Sequence, residues 1–256
     1  MSKASMIRVA QVTLLFLVLS HALSAKILTF EENKKLAEAG DADAQLALVD
    51  LYLLRDQSEE ATKWLKKAVE QGNAYAQYRM GNLYANGLMG FLKDDKEAVK
   101  WYIKAAEQGD TDAQHRLAIG YYFGEGVLED KKEAVKLFRK AAEQGHKASQ
   151  YCLGFAYDNG IGVLEDDRES TKWYRKAAEQ GEALAQHNLA IAYSYGRGVP
   201  EDYIVAYAWV NLAGANGMDV KSTREIFKRE LTSDQIADAQ KLSREMLAAN
   251  PKLISE

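Results

Sequence analysis

Ala106-Glu107-Gln108-Gly109, Ala142-Glu143-Gln144-Gly145 and Ala178-Glu179-Gln180-Gly181 are one phrase written three times, 36 residues apart. Val69-Glu70-Gln71-Gly72 differs from it only in the first residue. With Gly40 and Gly217 the glycines fall at intervals of 32, 37, 36, 36 and 36 residues. A period in this range marks one supersecondary unit, copied and stacked so that each copy touches only its neighbours. Such an array predicts a binding surface rather than a reaction centre.

The segment from Gly109 to Gly145 shows what a unit contains. Ala113, Leu117, Ala118 and Tyr121 recur at helical spacing. Gly124-Glu125-Gly126-Val127 then breaks the helix, with glycines free to take positive φ. Asp130 followed by Glu133 reads as a capping box opening a second helix, whose inward residues are Ala134, Leu137, Phe138 and Ala141. The box recurs as Asp94/Glu97 and Asp166/Glu169 and is lost at Asp202/Val205. The unit is helix, short loop, helix.

Aligned copies form columns. Leu48, Met80, Leu117, Leu153 and Leu189 make a large apolar one, and Tyr52, Tyr84, Tyr121, Tyr157 and Tyr193 follow four residues later. Between them lies a small column, Gly81, Ala118, Gly154 and Ala190, where helices would cross closely. The second helix carries Trp64, Trp101, Leu137, Trp173 and Trp209 in register. A bulky residue at Gly154 should therefore overpack a crossing. Gly160, in a loop, should tolerate one better unless its φ is positive.

These columns resemble the Sel1-like repeat, a branch of the tetratricopeptide-type helical repeats. The resemblance rests on Ala148-Ser149-Gln150-Tyr151-Cys152-Leu153-Gly154-Phe155-Ala156-Tyr157, on the Gly-x-Gly-Val loops at Gly124, Gly160 and Gly196, and on Ala-x-x-Trp/Leu-x-x-x-Ala-Ala-Glu-x-Gly. It implies an all-α, right-handed α-solenoid. Five repeats are expected, at about 41–72, 73–109, 110–145, 146–181 and 182–217. The first lacks the Gly-x-Gly loop and the second has Gly87-Leu88-Met89-Gly90, so those two loops should differ in shape. Residues 26–40 read as an N-terminal capping helix opened by Thr29 and Glu32. Residues 218–256 read as capping helices, Lys221 to Leu231 and Ser233 to Ala249, with Thr232 and Gln235 as the last capping box.

Residues 1–25 read as a secretory signal: Lys3 and Arg8, an apolar run from Val12 to Leu19, then small residues, with cleavage after Ala22 or Ala25. The competing reading is an uncleaved anchor, against which the run is short for the roughly 20 residues that span a bilayer. No later segment is apolar enough to span. Losing this segment moves the formal charge from −4 to about −6. A mildly acidic, mixed surface argues against nucleic acid. The absence of an Asn-x-Ser/Thr sequon tilts the destination toward a bacterial periplasm or secretion. A single cysteine, Cys152, excludes an internal disulfide and leaves stability to stacking.

Chemistry-bearing motifs are missing. The sequence has no Gly-x-Ser-x-Gly, His-Glu-x-x-His, phosphate loop, Cys-x-x-Cys, Ser-x-x-Lys or Lys-Thr-Gly. No enzymatic activity, cofactor or metal is expected. His115 and His187 share a column two repeats apart, on the order of 20–40 Å, too far for one metal. That column is read either as a partner-contacting surface or as half-exposed packing. His146 reads as solvated, and Cys152 as an incidental thiol or an intermolecular attachment point. Acidic pairs such as Asp166/Asp167 precede helices and read as caps.

In repeats of the type resembled, the first helix of each pair lines the concave side. The resemblance thus implies a groove of Tyr78, His115, Tyr151 and His187; Asn82, Ile119, Phe155 and Ile191; and Ala85, Tyr122, Asp158 and Ser194. Aromatic and aliphatic residues at equal steps suit a protein or peptide partner. The competing reading buries some of these columns between repeats. The expected function is an exported scaffold for protein–protein contact in envelope assembly, signalling or host interaction. A hydrolase or peptidoglycan-binding factor of the envelope is the alternative.

Overall fold

A computed structural model of the chain describes residues 28–254, so the expected signal, 1–25, lies outside the described residues. Those residues form 13 α-helices, a 3-10 turn at Pro251–Leu253 and no strand. In order they are α1 Phe30–Glu38, α2 Ala42–Leu53, α3 Ser58–Glu70, α4 Ala74–Asn86, α5 Asp95–Glu107, α6 Thr111–Phe123, α7 Lys131–Glu143, α8 Lys147–Asp158, α9 Asp167–Ala178, α10 Ala183–Tyr195, α11 Tyr203–Ala215, α12 Lys221–Glu230 and α13 Ser233–Ala249. The chain divides into two compact units, one ending at Asp110 and the other beginning at Thr111. Within each, the two helices of a repeat pack together and the second helix packs on the repeat that follows.

The columns read from the sequence are the cores. In the first unit Leu48, Met80, Ala61 and Trp64 are buried in one cluster. In the second, Leu189, Ala190, Ala206 and Trp209 join Phe227, Ala239 and Leu253 of the C-terminal segment. The small column is explained by what faces it. A Cβ added to Gly154 would lie 2.7 Å from Cδ1 of Tyr174 and 3.2 Å from the Ser170 carbonyl oxygen. One added to Gly81 would lie 2.5 Å from Cε1 of Tyr102. Where the column holds alanine, at 118 and 190, the residues in the register of Tyr102 and Tyr174 are Phe138 and Val210.

Four aspartates, Asp94, Asp130, Asp166 and Asp202, cap the second helices, each accepting at 3.0 Å the backbone N–H three residues on. The expected capping box is only half made. Each aspartate's own amide donates instead to the carbonyl of Tyr84, Tyr121, Tyr157 or Tyr193 at the end of the first helix. The glutamates are thereby released to pair with Lys100, Lys136 and Lys172. For the same reason Asp202 still caps, although Val205 follows it. Complete boxes occur at Thr29/Glu32 and Thr232/Gln235.

A glutamine that the repeat phrase contains ties the layers. Gln150, in α8, donates to the Ala142 carbonyl of α7 (3.1 Å) and accepts from Gln180 at the end of α9 (2.7 Å). Gln186 donates likewise to the Ala178 carbonyl, and Gln45 to Ala37. Gln71, Gln108 and Gln144 donate to Gln45, Gln77 and Gln114. The Ala37, Ala142 and Ala178 carbonyls already accept the amide of the glycine three residues on, and the glutamine amides fill their second lone pairs inside the protein. Both ends of the array use the device. α1 supplies Ala37 as the second helix of a missing repeat would. At the other end the Leu253 carbonyl accepts from Gln186 and Asn216, each at 2.7 Å.

Loops follow the glycines. Gly160 and Gly162 have φ of +64° and +70°. In the two loops that depart from the pattern, Asp56 and Met89 take left-handed φ of +58° and +53°. Gly154→Leu is expected to cost about 1–3 kcal/mol or more by overpacking Tyr174. Gly160→Leu also destabilises, because its φ is positive. Thermal unfolding followed by circular dichroism checks both, and an unchanged midpoint for Gly154→Leu would show that the crossing has slack.

Candidate functional site

The second unit presents its first helices, α6, α8 and α10, side by side. His115 of α6 meets Ser149 of α8, and Tyr174 of α9 interacts with Asp158 of α8 and Asn188 of α10. Ile119, Tyr122 and Tyr151 are half-buried there, and Phe155 is 36% exposed. The Tyr151 ring lies 6.4 Å from Phe155 and 5.9 Å from Tyr174, so one edge joins the core while the other stays on the surface. Burial pushes its hydroxyl pKa up. Lys131 sits 4.0 Å over the Tyr122 ring, which also meets Phe123 edge-on at 4.8 Å. Asp158 pairs with Arg197 of the next loop at 3.1 Å.

Other expected groove residues are engaged elsewhere. Ser194 is buried at 2% exposure, its hydroxyl donating back to the Ile191 carbonyl at 3.0 Å, so it lines no surface. Ile191 packs against the terminal core. His187 lies 3.1 Å from the Thr223 hydroxyl of α12, so the C-terminal cap covers this end of the column. In the first unit, Tyr78 is half-buried against Tyr75 and Tyr102, and Asn82 accepts the Tyr102 hydroxyl at 2.8 Å. The open part of the face in the second unit is centred on Ile119, Tyr151 and Phe155. Phe123 and Tyr195, 63% and 68% exposed, extend its apolar character at the ends of α6 and α10. The sequence reading passed over them because Asn86 and Asn159 occupy the same column and mark it as a helix end.

His146 is not solvated, as the sequence suggested. It is the N-cap of α8, its Nδ1 accepting the Ser149 amide at 3.1 Å, and its Nε2 lies 3.2 Å from Asp112 of α6. The Ser149 hydroxyl lies 2.9 Å from Nδ1 of both His146 and His115, whose rings are 4.7 Å apart. Since Nδ1 of His146 accepts, its N–H is on Nε2 and points to Asp112. The serine then donates to His146 and accepts from His115. An Asp–His–Ser line of this kind resembles a hydrolytic relay, but Ser149 has no exposed surface, so its hydroxyl meets no substrate. The line acts as an inter-repeat cap. Cys152 is half-buried with its thiol pushed up to about 12 by burial and then by Glu182, which makes it a poor nucleophile. Among the described residues no group of three or more His, Cys, Asp or Glu could hold a metal ion, and no helix is long and apolar enough to cross a membrane.

The Sel1 repeat, as a family profile, matches residues 42–73, 74–110, 111–146, 147–182 and 183–218. The chain belongs to the Sel1 repeat family. Two solved bacterial structures similar to this Sel1 protein place it further. The protective antigen c5321, present in uropathogenic Escherichia coli strains and displaying an SLR fold, is 36% identical with a TM-score of 0.79. That match covers 95% of this chain and 54% of the antigen's. A Sel1 repeat protein from Oxalobacter formigenes is 31% identical with a TM-score of 0.70, over 83% of this chain and 64% of the other. The chain therefore spans less than two thirds of either relative. No curated protein matches it significantly.

Burial, followed by the electrostatic influence of the neighbouring His146 and Arg116, pushes the His115 pKa down from 6.5 to about 3. Unfolding lets this imidazole take up a proton anywhere between those values, so its contribution to stability is full above about pH 6.5 and falls as pH drops below it. The Asp112 carboxyl, held below 3.8 mainly by its hydrogen bond from His146, keeps its contribution until lower pH. His115→Leu, the residue at Leu46 in the same column, is expected to flatten the loss of stability between pH 6.5 and 4. Urea unfolding at a series of pH values measures this, and an unchanged slope would show that His115 is not the titrating group.

Proposed function

We propose that this Sel1 repeat protein is an exported scaffold that binds a protein or peptide partner through the face of α6 and α8. The observation that carries it is Ile119, Tyr151 and Phe155, apolar residues that the core leaves partly uncovered on adjacent first helices. Ile119 one repeat from Phe155, with Tyr151 a helical turn from Phe155, gives an extended segment matched apolar contacts at low side-chain entropy cost. Arg116, exposed beside them, supplies a cation for a polar contact. The half-burial of these rings favours this reading, because their orientation is fixed before a partner arrives. Export is proposed from the basic and apolar pattern of residues 1–25. The similar E. coli protein being a protective antigen is in keeping with a place that antibodies reach. Roles in envelope assembly, signalling or host interaction fit such a location.

Replacing Ile119, Tyr151 and Phe155 together by Ser is expected to weaken capture of partners from envelope extracts by roughly a thousandfold, at about 2 kcal/mol or more per anchor. The helical circular dichroism spectrum should be largely kept. Equal capture by the triple variant would remove this face as the binding site. The protein recovered from the envelope or medium is expected to begin after Ala22 or Ala25. N-terminal sequencing that instead reads Met1 or Ser2 would overturn export by cleavage.

A further inference from the structure

The apolar patch of α6 and α8 has charge at both of its ends. Asp112 and Arg116 act on His115, and Asp158 and Glu182 act on the Tyr151 hydroxyl. The two aspartates are already engaged, Asp112 with His146 at 3.2 Å and Asp158 with Arg197 at 3.1 Å. Lys131, over the Tyr122 ring, pairs with Glu129. Arg116 and Glu182 are different. Arg116 is exposed one turn on from Asp112, and among the described residues it makes no hydrogen bond or ion pair. Glu182 is the half-buried N-cap residue of α10, yet its side chain accepts no capping hydrogen bond. Among the described residues it forms no ion pair either, and it bears on Tyr151 and Cys152 of α8. A cation thus stands on the α6 side of Ile119, Tyr151 and Phe155, and an anion on the α10 side. The loops hold these repeats at a set spacing. A Cβ on Gly162 would lie 2.3 Å from the Lys131 carbonyl oxygen, and one on Gly198 2.2 Å from that of Asp167.

We propose that the partner of this face is an extended peptide of polarised charge, with a carboxylate side chain over Arg116, apolar side chains on Ile119, Tyr151 and Phe155, and a basic side chain at Glu182. The proposal rests on the protein-binding reading of the same face and adds the chemistry of its occupant. Packed helices stand about 10 Å apart, and Glu182 reaches from the start of α10 toward α8, so the two charges are about 10–20 Å apart. An extended chain covers that span in roughly three to six residues at ~3.3 Å each. The Arg116 guanidinium can hold a carboxylate by two parallel hydrogen bonds. Glu182, half withdrawn from water, gains more from a cation than a fully exposed carboxylate would. A uniformly acidic peptide would meet Glu182 and a uniformly basic one Arg116, and like-charge contact rejects both. The rings supply affinity, and the two charges set the order of side chains across the helices.

Selection of a random peptide library displayed on phage against the purified protein tests this, with fluorescence anisotropy of a synthesised binder as the second step. The expected binders carry Asp or Glu and Lys or Arg about three to six positions apart, with an aromatic or aliphatic residue between them. Such a binder loses affinity roughly tenfold or more on Arg116→Glu and on Glu182→Lys, and the same peptide with its acidic residue changed to Lys regains affinity for Arg116→Glu. The circular dichroism of both variants should be unchanged, because neither side chain holds the helices together. A library that yields no binder, or only peptides without charge or with charge of one sign, overturns the proposal. So do binders indifferent to both charge reversals. If those binders are still lost on the triple Ser variant of Ile119, Tyr151 and Phe155, the face stands and its charge polarity falls. Binders that keep their affinity for the triple variant lie elsewhere, and the binding-face reading falls as well.

Discussion

The buried glutamine amide is the contact on which the stacking depends. Gln150 and Gln186 are 4% and 0% exposed, and each joins three helices, donating to the end of the preceding repeat and accepting from the end of its own. Apolar columns bring helices together without fixing how far one slides along another. A polar pair with both partners buried does fix it, because a one-turn shift would leave the glutamine amide dry and unpaired, at about 1–3 kcal/mol. Layer spacing and the height of the helix ends are therefore set by hydrogen bonds, and the leucines and tryptophans fill the volume so defined.

That division explains what was legible in the sequence. The glycine series, the apolar columns and the capping aspartates are local and repetitive, and they gave the helices and the loops. The glutamines stood in the same phrases, yet a polar residue at a helix end reads as solvent-facing until its partner 30 residues away is known. The candidate face was legible only in outline. Ile119, Tyr151 and Phe155 stay partly open on it, whereas Ser194 turns back on its own helix and His187 is met by Thr223 of the C-terminal segment. A column argument treats every copy as an interior one, and the last copy is not.

His146 shows the same limit from another side. Its column is variable, so nothing in the repeat pattern gave it a role, but its position as N-cap places it over Asp112 and Ser149. Departures from a repeat are where an individual chain acquires properties of its own. Here the departure substitutes an imidazole for the usual capping oxygen and fills the space beside His115 with a second ring.

Gly162 and Gly198, the second glycines of two Gly-x-Gly loops, press on a main-chain carbonyl, that of Lys131 or Asp167, and not on a side chain. A junction made to backbone asks nothing of the receiving residue's identity, which is why a lysine and an aspartate serve equally. A 36-residue block can then be duplicated or deleted between such junctions with both cut surfaces still matching. Array length becomes free to vary by whole units while each joint stays chemically the same, a property in keeping with the greater length of the E. coli and O. formigenes relatives.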